Sequence, residues 1–178
     1  MELKSYEKPW LPAFKGAFLI IFGLLAMIQI IGSIKALAML LVTLISALGI
    51  LLIATTILNK NTKYKPWNII TGIINLVFAI YLIIKVESPA VEITWIILIW
   101  VIFYIFTEFI EAGILISEKN AFAALFVQDG LLSILFGYFL YVAIGKFTPE
   151  AVFYIGIIAL IIGITNVLSS YLLSRLKG

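Results

Sequence analysis

The run from Ala36 to Asn59, ALAMLLVTLISALGILLIATTILN, holds 24 consecutive residues without a charge. An α-helix rises about 1.5 Å per residue, so about 20 apolar residues cross the ~30 Å hydrocarbon core of a bilayer. The run is continuously apolar, whereas a membrane β-strand alternates between its two faces. A helix across a membrane is the reading that fits.

The pattern recurs on both sides of this run. Further uncharged runs cover Gly16–Ile34, Pro66–Ile84, Ile93–Thr107, Gly130–Gly145 and Ala151–Ser174. The fourth span continues past two acids to Ile116, and the fifth begins near Ala121, ahead of Asp129. Six transmembrane helices are predicted, over residues 12–31, 36–58, 67–86, 92–116, 121–144 and 150–173. The fold class is therefore all-α and polytopic, with residues 1–178 forming a single six-helix membrane domain.

Composition agrees. Apolar residues make up 64% of the chain, against ~45–50% in an ordinary soluble domain, and charged residues only 12%, about half the usual share. Twelve bases and nine acids cannot clothe so apolar a chain in water, and disorder needs the opposite composition. Cys and His are both absent, which removes thiolate nucleophiles, disulfides and the commonest metal ligand. No cofactor or metal is expected. No small-residue cleavage pattern follows a short apolar core, so the first span is read as retained.

Lys and Arg in the short loops set orientation. One side collects Lys4, Lys8, Lys15, Lys60, Lys63, Lys65, Lys119, Arg175 and Lys177, and the other Lys35, Lys85 and Lys146. Nine against three places both termini in the cytoplasm. The pI near 9.1 is thereby a topology signal. It requires no nucleic acid, and lysines 60, 63 and 65 face anionic lipid. The expected partner is the lipid bilayer, with a second copy or a membrane protein as a further possibility.

The sequence also matches itself at a period of about 57 residues. Lys15-Gly16-Ala17-Phe18-Leu19-Ile20-Ile21-Phe22-Gly23 aligns with 71–79, TGIINLVFA, and with 129–137, DGLLSILFG, at offsets of 56 and 58. The even-numbered spans follow the same offsets, which places Gly49, Ile105 and Gly163 in register. The predicted unit is a helical hairpin used three times, over approximately 10–64, 65–120 and 121–178. Gly16/Gly23, Gly72/Ala79 and Gly130/Gly137 recur seven apart, nearly the same helix face. Small residues there permit the close approach that packs helices in lipid.

Six short spans in three hairpins, Lys15-Gly16 with Phe22-Gly23 two turns later, and Pro in the outer turns resemble the HdeD-type acid-resistance membrane proteins. The resemblance runs from Pro9 to Leu176. Lys15 stands where that family more often has Arg, no Pro follows the first span, and the acids of the fourth span are not part of the pattern. The resemblance implies a small inner-membrane protein linked to acid or stress tolerance, and it implies no catalytic residues.

Charge inside the spans is the sharpest local signal. Glu108, Glu111 and Asp129 lie within spans four and five, where an acid at a helix centre costs about 2.5–3.5 kcal/mol. Tyr104, Glu108 and Glu111 share a face by their i, i+4, i+7 spacing, and Asn68, Thr71 and Asn75 line one face of span three. The register aligns Leu52/Glu108/Asn166 and Thr55/Glu111/Ser169. The expected site is a polar cavity open to the cytoplasm, lined by Lys15, Glu108, Glu111 and Asp129, with Asn68, Thr71, Asn75, Asn166 and Ser169 in support. Such a site would sense or conduct protons, or hold a cation. A structural role, as acids that hydrate or bond neighbouring helices, is the competing reading. Two carboxylates three apart on one helix share one environment, so they make a poor acid–base pair and an enzyme is not expected. The functional readings are a non-enzymatic stress-tolerance protein, a small proton or cation transporter, and a packing subunit of a larger membrane complex.

Overall fold

A computed structural model describes residues 10–28, 34–58, 65–120, 122–142 and 149–175. They form six helices: α1 (Trp10–Met27), α2 (Ile34–Leu58), α3 (Lys65–Ile84), α4 (Ala90–Ser117), α5 (Ala123–Val142) and α6 (Pro149–Arg175). No strand occurs among the described residues. The predicted ends agree within two residues for α2 to α6. α1 runs from two residues before its predicted start to Met27, and residues 29–31 lie outside the description. Five helices, α2 to α6, are long and apolar enough to cross a membrane, while α1 contributes the shorter apolar stretch Pro12–Met27. Also outside the description are Gln29, Gly32-Ser33, the 59–64 loop, Gly145, Thr148 and the topology residues Lys4, Lys8, Lys60, Lys63, Lys146 and Lys177.

The surface is that of a body in lipid. Ile21 on α1, Ile50 on α2, Val77 on α3, Phe106 on α4, Leu131 on α5 and Leu168 on α6 are all more than half exposed. Water-soluble proteins rarely show contiguous apolar patches beyond a few hundred Å². Tyr81, Trp95, Tyr138, Tyr141 and Tyr154 are exposed toward one end of the bundle, where amphipathic rings suit a membrane–water boundary.

Helix pairing differs from the expected hairpins. The closest pairs are α1 with α6, α2 with α3 and α4 with α5, whereas α1 with α2 and α3 with α4 touch only lightly. Glycine explains the pairing. A Cβ on Gly16 would lie 2.6 Å from the Gly163 carbonyl, and one on Gly23 would lie 2.7 Å from that of Gly156. α1 and α6 therefore run antiparallel with their backbones in contact at two levels. Gly49 and Gly72 make the equivalent contact between α2 and α3, at 2.9 Å. Between α4 and α5, Ile105 stands in place of the even-helix glycine, and a Cβ on Gly130 would instead meet the ring of Phe109 at 3.0 Å. Gly137 is looser, since a Cβ there would meet Val101 at 3.3 Å.

The main apolar core fills one half of the bundle. Phe22, Leu37, Leu41, Ile45, Leu82, Ile93, Ile97, Leu140 and Ile155 are essentially inaccessible and belong to the C-terminal halves of α1, α3 and α5 and the N-terminal halves of α2, α4 and α6. At this end Lys85 pairs with Glu92 at 2.8 Å, and Lys35 pairs with Glu87. The Glu92 carboxylate, hydrogen-bonded to Lys85, holds that ammonium above its ordinary pKa. Both pairs are exposed and weak. Replacing Glu92 by Gln is expected to leave thermal stability in detergent unchanged within error, and a loss of several degrees would contradict that placement. At the other end α4 closes on Lys119, which takes a left-handed φ of 54°, and the Phe122 N–H donates to Asn120 Oδ1 at 3.0 Å. The half of the bundle on that side carries the site.

Candidate functional site

The tight helix pairs decide which residue looks inward. In the repeated pattern x-Gly, the glycine faces the partner helix, and the preceding residue, about 100° away around the helix, faces the bundle axis. Those preceding residues are Lys15, Thr71 and Asp129, and all three line one cavity of about 60 Å³. The aligned positions on the even helices, Leu52, Glu108 and Asn166, line it as well. Six positions that the sequence register makes equivalent thus meet around one space, and their divergence turns it from an apolar ring into a charged one.

Lys15 is the centre. Its Nζ donates to Glu108 Oε1 at 2.8 Å and to Asp129 Oδ2 at 2.7 Å. The same ammonium lies 4.6 Å from the centre of the Tyr104 ring, within cation–π range. Asn166 Nδ2 donates to Asp129 Oδ1 at 2.7 Å and to the Ile162 carbonyl at 2.9 Å, so both Asp129 oxygens are engaged. The side chains of Lys15, Glu108 and Asp129 are only 11%, 7% and 2% exposed. Charge-assisted bonds of this length are the strong kind, and here two carboxyl groups share one ammonium.

Several polar atoms on this lining have no partner. Glu108 Oε2, Asn166 Oδ1, Thr71 Oγ1 and the Tyr104 hydroxyl are buried and unpaired. The Trp100 Nε1–H, by contrast, donates to Asn75 Oδ1 at 3.0 Å. What faces the space is therefore two acceptor oxygens, of Glu108 and Asn166, and two hydroxyls that can both donate and accept. Above it a second space of about 40 Å³ shares Lys15, Leu48, Trp100 and Tyr104 but is otherwise almost entirely apolar, with Phe22, Leu41 and Phe136 in its wall. Beyond that lies the closed apolar core.

No family model, curated protein or solved structure matches the chain. The site must therefore be read from its own chemistry.

Of the expected residues, Lys15, Glu108 and Asp129 are in direct contact, Asn166 joins them, and Glu111, Thr71 and Asn75 line the same cavity. Asn68 and Ser169 are half-buried and lie outside its lining, a correction to the expected support. Asn68 precedes Thr71 by three residues and sits at the edge of the inward face. Trp100, Tyr104 and Thr107 complete the wall. Tyr104 was legible from its spacing to Glu108. Trp100, one turn earlier on that face, reads in sequence as an ordinary core aromatic. The unpaired oxygens and the one-sided cavity can bind a proton donor or a positive charge.

Proposed function

We propose that this is a non-enzymatic, multi-pass inner-membrane protein of the HdeD-like kind, supporting tolerance of acid or related stress, with the Lys15–Glu108–Asp129 cluster as its working part. Both termini are cytoplasmic in this reading, so the cavity opens inward. The six helices are three copies of a two-helix unit. That is supported by the six register-equivalent positions on one cavity and by the matching contacts of Gly16 with Gly163 and Gly49 with Gly72.

One observation carries the proposal. Three charged side chains are held at 2.7–2.8 Å deep in an otherwise apolar bundle. Buried ion pairs are seldom more stabilising than apolar side chains of the same volume, and charges at membrane depth are costly. Packing alone gives no reason to keep them. A group that exchanges protons or cations with one side of the membrane does. The runner-up, a proton or cation transporter, is favoured by the same cavity, but it needs a route through the other half, which Leu37, Ile93, Ile97 and Ile155 fill.

Asp129→Asn keeps the shape and the acceptor for Asn166 while removing a charge. It is expected to lower survival of acid challenge to the level of cells lacking the protein, with wild-type abundance in the membrane. Purified protein in liposomes is expected to show no proton flux with or without the substitution. Unchanged survival would remove the functional role of the cluster, and flux abolished by Asp129→Asn would establish the transporter instead.

A further inference from the structure

The chemistry of the cluster suits more than a proton. Lys15 Nζ shows what the site accepts: two carboxylate oxygens at 2.7 and 2.8 Å and the face of Tyr104 at 4.6 Å hold a primary ammonium. The adjoining cavity repeats those features. Glu108 presents its second oxygen, Asn166 its amide oxygen, and Thr71 and Tyr104 their hydroxyls, all buried and unpartnered. Glu108, Asn166 and Thr71 are each more than nine-tenths buried, and no protein group answers these oxygens. Leaving buried acceptors unmatched is costly, which argues for an occupant rich in donors.

Charge points the same way. One ammonium, that of Lys15, faces the two carboxyl groups of Glu108 and Asp129, and Glu111 lies on the same wall. A divalent metal is a poor fit, because no group of three or more acidic or other metal-ligating side chains among the described residues is arranged to hold one. Size is limiting as well. About 60 Å³ admits a small ion with a few waters, or a one-carbon amine, and excludes bulky quaternary ions. Trp100, stacked on Tyr104 with ring centres 5.6 Å apart, backs the aromatic wall that a cation would meet.

We infer that this cavity is a binding site for a single small ammonium-type cation, the ammonium ion or a short primary alkylammonium, seated between Glu108 Oε2, Asn166 Oδ1 and the hydroxyls of Thr71 and Tyr104, with Lys15 as its tethered neighbour. The inference rests on the cluster being the working part of the protein, and it specifies what that part takes. Glu108 bridges the two cations, one on each oxygen. Occupancy would couple cytoplasmic amine to a cluster that also meets protons.

The test uses the full chain in detergent or nanodiscs and follows tryptophan fluorescence, since Trp100 lies in the wall. Ammonium chloride and methylammonium chloride are titrated against choline chloride at constant ionic strength, with sodium and potassium chloride as further arms. Saturable responses to ammonium and methylammonium and none to choline are expected. Thr71→Val, which removes one hydroxyl and keeps the shape, should raise Kd about three- to tenfold, the worth of one hydrogen bond. Glu108→Gln should raise it further. Ammonium curves that overlay choline in the wild type would overturn the site, as would equal affinity for sodium and potassium or an unchanged Kd in Thr71→Val. The two claims fail separately: no titration with a lost Asp129→Asn phenotype removes the ammonium site alone, and normal titration with an unchanged phenotype removes the stress role alone.

Discussion

Lys15→Met is expected to destabilise the bundle by about 3–5 kcal/mol, the usual cost of stranding buried charges without their partner. Here one ammonium serves two carboxylates, Glu108 at 2.8 Å and Asp129 at 2.7 Å, so its loss strands both. Removing all three charges together, as Lys15→Met with Glu108→Gln and Asp129→Asn, is expected to restore wild-type stability or exceed it. Neither carboxyl group is then left beside a missing ammonium, and the amide oxygen introduced by Asp129→Asn still accepts from Asn166. Denaturant-induced unfolding of the two purified variants in the same detergent compares them directly. A triple variant no better than Lys15→Met would show that the cluster is needed for folding. Recovery in the triple variant, with loss of acid survival, separates function from stability.

The second large effect belongs to the α1–α6 contact. A Cβ on Gly16 meets the Gly163 carbonyl at 2.6 Å and Asn166 Cβ at 2.8 Å, and a Cβ on Gly163 meets Gly16 O and Ile20 N, both at 2.7 Å. Backbone atoms cannot swing aside as a flexible side chain can, so Gly163→Val must push the two helices apart. A cost of about 3 kcal/mol or more is expected, at or above the upper end of ordinary overpacking. The same movement carries Asn166 away from Asp129, so a site defect should accompany the loss of stability. Gly113 supplies the control, because nothing lies within 4 Å of a Cβ there. Gly113→Ala should be neutral or stabilising by up to about 1 kcal/mol, as expected for a helix-interior glycine. Thermal unfolding of both variants checks the contrast, and equal effects would contradict the contact.

The elements were legible because apolar length alone sets a membrane helix, and α2 to α6 fall within two residues of where hydropathy places them. The pairing was not. Adjacency along the chain suggests α1 against α2, but in lipid no hydrophobic drive favours one helix face, and close approach goes where small residues match. Gly156 and Gly163 are seven apart, as are Gly16 and Gly23, and antiparallel pairing brings both couples together. That match was available and outranks adjacency. For the site, the in-span acids mark Glu108, Glu111 and Asp129 as one group, and all three line the one cavity, since so few polar groups in the spans compete to pair with them. Asn68 was misplaced because a shared stripe on α3 is wider than the cavity it borders. The unpaired Glu108 Oε2 and the Trp100–Asn75 bond have no sequence signature, as both depend on how separate helices pack against one another.

The central claim is a polar cavity reached from the cytoplasmic side and sealed from the other by the apolar core. The chain contains no cysteine, so single substitutions report cleanly. Thr71→Cys, in the cavity wall, and Ile97→Cys, 1% exposed in the sealed half, are each treated with silver ion, a thiol-reactive cation small enough for the cavity, in inside-out and right-side-out vesicles. Thr71→Cys is expected to react from the cytoplasmic face alone, and Ile97→Cys from neither. Reaction of Thr71→Cys from the outside, or of Ile97→Cys from either face, would contradict the account.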